Sequence, residues 1–226
     1  MIKIAIDGLT GSGKGTLADG IAKKFGLKHL DTGAIFRGIA CGFVDLGIEN
    51  LSEENVKNNI DKINVEVKFI DGVQKVFLEG KDITHLLRTE KISQTASKVS
   101  AFPVVREKYL KIVHAFADAN DCIIDGRDIT SVVLPDADVK IYLTADEKVR
   151  AERRYKENVE KHIDGTFEEV LANLQERDYR DTHRDVAPLI ITDDAIVFDN
   201  TNITIEETIK QGCEMVEKIL KEKGKV

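Results

Sequence analysis

Ile2 to Asp7 is a strand-length apolar run, followed by a glycine-rich turn from Gly8 to Gly15. Apolar positions at helical spacing then run to about Phe25, where Gly26 can cap the helix. A second apolar run around Leu30 leads into Asp31 and Thr32, which predict the cap of a helix reaching about Leu46, and Ser52 predicts another short helix. The pattern then changes: Val65, Val67 and Phe69, the dipeptide Asp71-Gly72, then Val76 and Leu78 alternate as a hairpin between Ile63 and Glu79. Helical periodicity returns from about Thr89 to Val99, and Pro103 suits the first position of a helix to about Ala119. Cys122 to Asp125 and Val139 to Leu143 read as short buried strands. Two charged helices follow, roughly Asp146 to Lys161 and Phe167 to His183, then a strand from Ala195 to Asp199 and a helix from about Ile205.

Strands joined through helices predict an α/β protein built on a parallel sheet with helices on both faces, with ligands beyond the carboxyl ends of its strands. Asp7, Asp31, Asp125 and Asp199 stand at such ends. A length of 226 residues suits one main domain with a small insert. The boundaries expected are a core of residues 1–60 and 120–226, an insert over about 61–119 and a lid over about 150–165.

Composition narrows the function. Charged residues make up 32% and hydrophobic residues 42%, an ordinary globular balance. No apolar run approaches a membrane span and the start lacks a signal-peptide layout, so a cytoplasmic protein is expected. Three widely separated cysteines, Cys41, Cys122 and Cys213, give neither a disulfide framework nor zinc-site spacing. The five histidines are equally scattered, and each is read as packed or solvated. A net charge of -7 argues against binding a nucleic-acid polymer. Yet of ten arginines, all but Arg88 fall in segments that also carry candidate chemistry. Arginine holds phosphate with a planar fork, so a small anionic ligand is implied.

The run Gly8-Leu9-Thr10-Gly11-Ser12-Gly13-Lys14-Gly15-Thr16 contains a GxxxxGK core between a strand and a helix, the context of a phosphate-binding P-loop. Gly8, Gly11, Gly13 and Gly15, with Ser12, let backbone N–H groups turn toward phosphate oxygens, and the helix N-terminus adds positive potential. Lys14 is expected on the β and γ phosphates of ATP. Gly15 intervenes where a hydroxyl usually follows the lysine, so Thr16 is the candidate Mg²⁺ ligand. The Asn-Lys-x-Asp signature of guanine readers is missing from the sequence.

Beyond this loop, four blocks carry a resemblance. They are Asp31-Thr32-Gly33-Ala34-Ile35-Phe36-Arg37; Ser97 through Ala101-Phe102-Pro103-Val104-Val105-Arg106; Asp125-Gly126-Arg127-Asp128; and Glu176-Arg177-Asp178 through Arg184-Asp185-Val186-Ala187-Pro188-Leu189. In this order, together with the P-loop, they resemble the bacterial cytidylate kinase family over nearly the whole chain. The hairpin matches the extended monophosphate-binding region of that family. The resemblance implies a three-layer P-loop fold with a five-stranded parallel sheet, a small antiparallel insert and a helical lid.

It further implies that Ser97, Arg106 and Asp128 contact cytosine, that Arg37, Arg127 and Arg184 hold the acceptor phosphate, and that Arg177 and Asp181 meet the sugar. Thr32 stands in the substrate site where a serine is common and keeps the hydroxyl. Arg150, Arg153 and Arg154 are the arginines that the family places on a lid over the phosphates, and Arg153 joins Lys14, Arg127 and Arg184 as catalytic; solvation stays open for Arg150. The chemistry is coherent: a carboxylate accepts from the cytosine amino group, whereas uracil reverses that edge. Arg177, Arg180, Asp181 and Arg184 fall at i, i+3, i+4 and i+7, one helix face. The expected protein is a monomer acting on CMP or dCMP with MgATP. Rivals are a P-loop kinase for UMP, AMP or a non-nucleotide such as shikimate, and a nucleotide sensor without transfer.

Overall fold

The computed structural model describes residues 1–160 and 162–226, with the residue 90 side chain outside the description. The chain divides into two compact units, Met1–His29 with Asp121–Val226, and Leu30–Asn120.

In the first unit, β1 (Lys3–Gly8) lies at the centre of a parallel sheet. It is flanked by β6 (Cys122–Gly126) and β7 (Val139–Thr144), with β8 (Ile196–Asp199) beyond β7. The short strand β2 (Lys28–Asp31) completes the five-stranded order β2-β6-β1-β7-β8. The central strands β1, β6 and β7 are buried on both faces and read as nearly continuous apolar runs rather than alternating ones, whereas the edge strands β2 and β8 are partly exposed. α1 (Lys14–Phe25) and α8 (Ile205–Glu222) pack Leu17, Ile21, Cys213, Val216 and Leu220 against Ile4, Ile6, Ile141 and Phe198. α6 (Glu147–Glu160) and α7 (Phe167–His183) complete the unit. The expected last residue of α6, Lys161, lies outside the described residues. Thr166 and Glu169 form a reciprocal capping box that starts α7.

In the second unit, Asp31 caps α2 (Thr32–Asp45) by accepting from the Ala34 N–H at 3.2 Å, and Ser52 does the same for α3 (Glu53–Asn59). β3 (Val65–Ile70) and β4 (Val73–Leu78) form the hairpin around Asp71-Gly72, whose backbones are both left-handed, at φ 52° and 76°. The two-residue strand β5 (Lys81–Asp82) adds an antiparallel edge; it is too short to show a period in sequence. α4 (Glu90–Val99) and α5 (Pro103–Ala119) follow, with Pro103 at the first turn of α5. Gly38 and Gly42 on α2 let the hairpin side approach: a Cβ on Gly42 would sit 2.3 Å from Ile63 Cγ2.

Among the described residues no helix is long and apolar enough to cross a membrane. Cys41, Cys122 and Cys213 are buried thiols outside any disulfide.

Candidate active site

β1 ends in Asp7 and Gly8, and the chain turns at once into the phosphate loop. Gly8 (φ 153°) has no room for a side chain, since a Cβ there would lie 2.0 Å from the Leu143 carbonyl oxygen. Gly13 is left-handed at φ 91° where α1 begins. The Lys14 side chain folds back over the loop, its Nζ donating to the Leu9 carbonyl at 2.8 Å and approaching Ser12 Oγ at 3.4 Å. Burial, with Arg127 and Arg177 nearby, pushes its pKa down to about 7 against the pull of Asp125 and Asp7. Thr16, two residues on, is exposed.

Thr10, midway round the loop, is held from three sides. Its N–H donates to Asp178 Oδ1 at 3.0 Å, its carbonyl accepts from Arg150 Nη1 at 2.8 Å, and its hydroxyl accepts from Arg127 Nη2 at 3.1 Å. Arg150 and Asp178 form a buried ion pair between α6 and α7. Arg150 is therefore not solvated: it is 4% exposed and ties the loop to both helices. Arg153 reaches the loop indirectly. Its guanidinium donates to the Asn200 side chain at 3.0 Å and to the Asn200 carbonyl at 2.8 Å, and the Asn200 amide donates to the Ser12 carbonyl at 3.0 Å. Arg154 pairs with Glu157 on its own helix at a half-exposed position.

β6 carries the second cluster. Asp125 lies at its end, and Gly126 leads to Arg127 and Asp128. Arg127 Nε donates to Asp181 Oδ2 at 2.8 Å. Burial opposes the charge on Asp181, but Arg127, Arg177 and Arg184 outweigh it and hold the carboxyl below its usual range. Asp128 is 2% exposed and lies 3.5 Å from Arg184 Nη2, while Arg184 Nε donates to the Ala187 carbonyl at 2.7 Å. Of the α7 face expected from spacing, Asp181 and Arg184 therefore join this cluster, and Arg177 bears on Lys14 and Asp181 through its charge. Arg180 instead pairs with Glu176.

In the second unit, Arg106 is buried and donates to the Ser100 carbonyl at 3.3 Å, and the Ser100 hydroxyl donates to the Ser97 carbonyl at 2.9 Å. The Arg106 guanidinium lies 5.9 Å from the Phe36 ring centre and 5.7 Å from that of Tyr109, and these two rings stack at 4.3 Å. Arg37 pairs with Asp31 at 2.6 Å, and Thr32 is buried at the start of α2. Ser97, Arg106, Arg37 and Thr32 thus belong to Leu30–Asn120. The phosphate loop, Arg127, Asp128, Arg153, Arg177, Asp181 and Arg184 belong to the first unit.

Several contributors escape sequence reasoning. Asp178 and Asn200 brace the phosphate loop; Asn200 directly follows β8, and the strand-end rule could have found it. His29 bridges two carboxylates, its Nδ1 2.6 Å from Asp19 and its Nε2 2.8 Å from Asp125. Burial would lower its pKa, yet Asp125 and Asp19 raise it to about 10 and keep it charged.

A donor set for Mg²⁺ must be oxygen-based, with few protein ligands, because this ion keeps waters and binds substrate phosphates. An exposed hydroxyl at Thr16 and a carboxylate at Asp125 satisfy that chemistry. Among the described residues no group of three or more His, Cys, Asp or Glu could cage a metal.

Comparison with known proteins agrees with this chemistry. The family model described as cytidylate kinase matches residues 4–218. The chain is 41% identical over 219 residues to a cytidylate kinase of Caldicellulosiruptor saccharolyticus, covering 97% of both chains. It is 45% identical over 223 residues to a cytidylate kinase of Streptococcus sanguinis, covering 97% of this chain and 98% of that one. Among solved structures, an uncharacterized protein from Eubacterium ventriosum superposes with a TM-score of 0.52 at 11% identity, over 97% of this chain and 98% of that one. That likeness is one of fold.

Proposed function

Because the chain belongs to the cytidylate kinase family and phosphorylates CMP with ATP, we propose that it does so by direct in-line transfer, with the residues of its own loops in the following roles. Lys14 holds the β and γ phosphates of ATP, and the backbone N–H groups of Gly8, Gly11, Ser12, Gly13 and Gly15 cradle them. Arg127, Arg153 and Arg184 neutralise charge that spreads over the transferring group, and Arg37, Arg127 and Arg184 hold the acceptor phosphate. Asp128, Ser97 and Arg106 read cytosine. Arg177 and Asp181 contact the sugar, and the same pair serves CMP and dCMP. Thr32 offers its hydroxyl to the substrate. Thr16, with Asp125 acting through water, would hold Mg²⁺, which when bound neutralises charge on the β and γ phosphates.

One observation carries this reading. Burial first, and then the charges of Arg127 and Arg177, bring the Lys14 pKa down to about 7. Clustered cations repel one another, and a polyphosphate relieves that repulsion. In the reaction an oxygen of the acceptor phosphate forms a bond to the γ-phosphorus as the bond to the bridging oxygen of ADP breaks. The acceptor oxygen is already anionic, so a strong general base is not needed. Residues 150–165 act as the lid and 61–119 as the monophosphate-binding insert, and the enzyme works as a cytoplasmic monomer.

Stereochemistry tests the mechanism. With ATP made chiral at the γ-phosphorus by oxygen isotopes, one direct transfer to CMP inverts configuration. Retention would require a phosphoenzyme and would defeat the proposal.

A further inference from the structure

Asp7 is fully buried on β1, directly before the phosphate loop, yet its side chain points to other work. Oδ1 accepts from the Ile129 N–H at 2.9 Å, and Oδ2 accepts from the Thr130 N–H and the Thr130 hydroxyl, both at 2.7 Å. These donors open the segment Ile129–Val133, a wide π-helical turn in which the Val133 N–H reaches the Asp128 carbonyl at 3.1 Å and the Leu134 N–H reaches the Ile129 carbonyl at 2.7 Å. Such turns are rare, and the first N–H groups of any helical turn lack partners of their own. Asp7 supplies them from a neighbouring strand, where Asp7 and Gly126 are paired in register.

We infer that Asp7 is a positioning residue for acceptor specificity: its carboxylate fixes the turn that begins immediately after Asp128, and so sets where the cytosine-reading carboxylate stands. This inference rests on the assignment of Asp128 to cytosine. The physical demand is specific, because three donors converge on two oxygens in a site without solvent. A carboxylate accepts all three. An asparagine of the same shape has one acceptor oxygen and turns an NH₂ group toward a donor, leaving at least one buried N–H unpaired. The neighbouring Asp128 would then lose its fixed place, while the phosphate loop keeps its own braces through Asp178 and Asn200.

The test compares wild type, Asp7→Asn, Thr130→Val and Asp128→Ala in kcat/KM for CMP and for UMP at saturating MgATP, with KM for ATP measured alongside. The two acceptors share the same phosphate chemistry, so their ratio isolates base reading. Asp7→Asn is expected to raise KM for CMP and to lower the preference for CMP over UMP about tenfold. Because Asp7 also supports the charge on Lys14, KM for ATP rises in that variant, whereas Thr130→Val, which keeps the carboxylate, leaves KM for ATP within about twofold. Thr130→Val, which removes one of the three donors, lowers the preference about threefold. If Asp7→Asn slows both acceptors equally at an unchanged ratio, Asp7 is only a brace of the fold and the inference falls. Should that variant fail to fold, an unchanged ratio in Thr130→Val overturns the inference by itself. An Asp128→Ala variant that keeps full preference would instead remove the cytosine assignment on which the inference stands.

Discussion

Lys14 illustrates how much a single environment decides. An ordinary lysine is protonated well above neutrality, but here burial and the nearby arginines bring the pKa to about 7. At pH 8 most of the unliganded enzyme therefore carries a neutral Lys14. If Lys14 holds the ATP phosphates as proposed, they favour its charged form, so binding takes up a proton and affinity falls as pH rises from 7 toward 10. Calorimetric titration of MgATP at pH 8, in two buffers of different ionisation enthalpy, should report close to one proton taken up per ATP. No uptake would show that Lys14 is already charged in the free enzyme. Lys14 stands out in sequence through the GxxxxGK spacing of the phosphate loop, and Arg127, Asp128 and Arg184 stand out only through the order of blocks that resemble the family. His29 is not, because nothing near a lone histidine announces that Asp19 and Asp125 will meet its two nitrogens. Asp178 escapes for a similar reason: its partners Arg150 and Thr10 are 28 and 168 residues away along the chain.

At the scale of elements, helix caps and the hairpin turn carry most of the legible information. Gly26, Asp31, Ser52 and Pro103 mark helix ends where expected, and Asp71-Gly72 fixes the register of β3 and β4. The turn at Ile129–Val133 leaves no such mark. Its shape depends on the Asp7 carboxylate arriving from β1, a long-range contact that local propensity does not encode. Packing between elements is equally hidden. The closeness of α2 to Ile63 depends on Gly42, since a Cβ there would overlap Ile63 Cγ2 at 2.3 Å. Alanine gains about 1 kcal/mol in helix propensity, but an overlap that reaches Cγ2, Cγ1 and Cβ of Ile63 puts the overpacking cost in the upper part of the usual range, about 2–3 kcal/mol. Gly42→Ala is therefore expected to lose about 1–2 kcal/mol in urea unfolding at an unchanged slope. A variant as stable as wild type would mean that α2 shifts freely.

Across the whole molecule, a net charge of -7 coexists with arginines concentrated in a few segments. A net negative charge discourages binding of nucleic-acid polymers, whereas within the first unit Arg127, Arg150, Arg153 and Arg184 converge on the phosphate loop and the end of β6. The family is legible from five short blocks spread from Gly8 to Leu189, since their order along one chain is far more specific than any block alone. What the order does not reveal is how the blocks are braced: Asp7 under the turn after Asp128, Asn200 under Ser12, and Asp178 under Thr10. These braces are long-range hydrogen bonds between residues of ordinary type. Selection of cytosine through Asp128 can be measured in a coupled MgATP assay of CMP, dCMP, UMP, AMP and GMP with wild type and Asp128→Ala. Wild type should prefer CMP and dCMP strongly, because uracil presents the reverse edge to the Asp128 carboxylate, and the preference should collapse in the variant. Equal use of UMP by the wild type, or an undiminished preference in the variant, would contradict that selection.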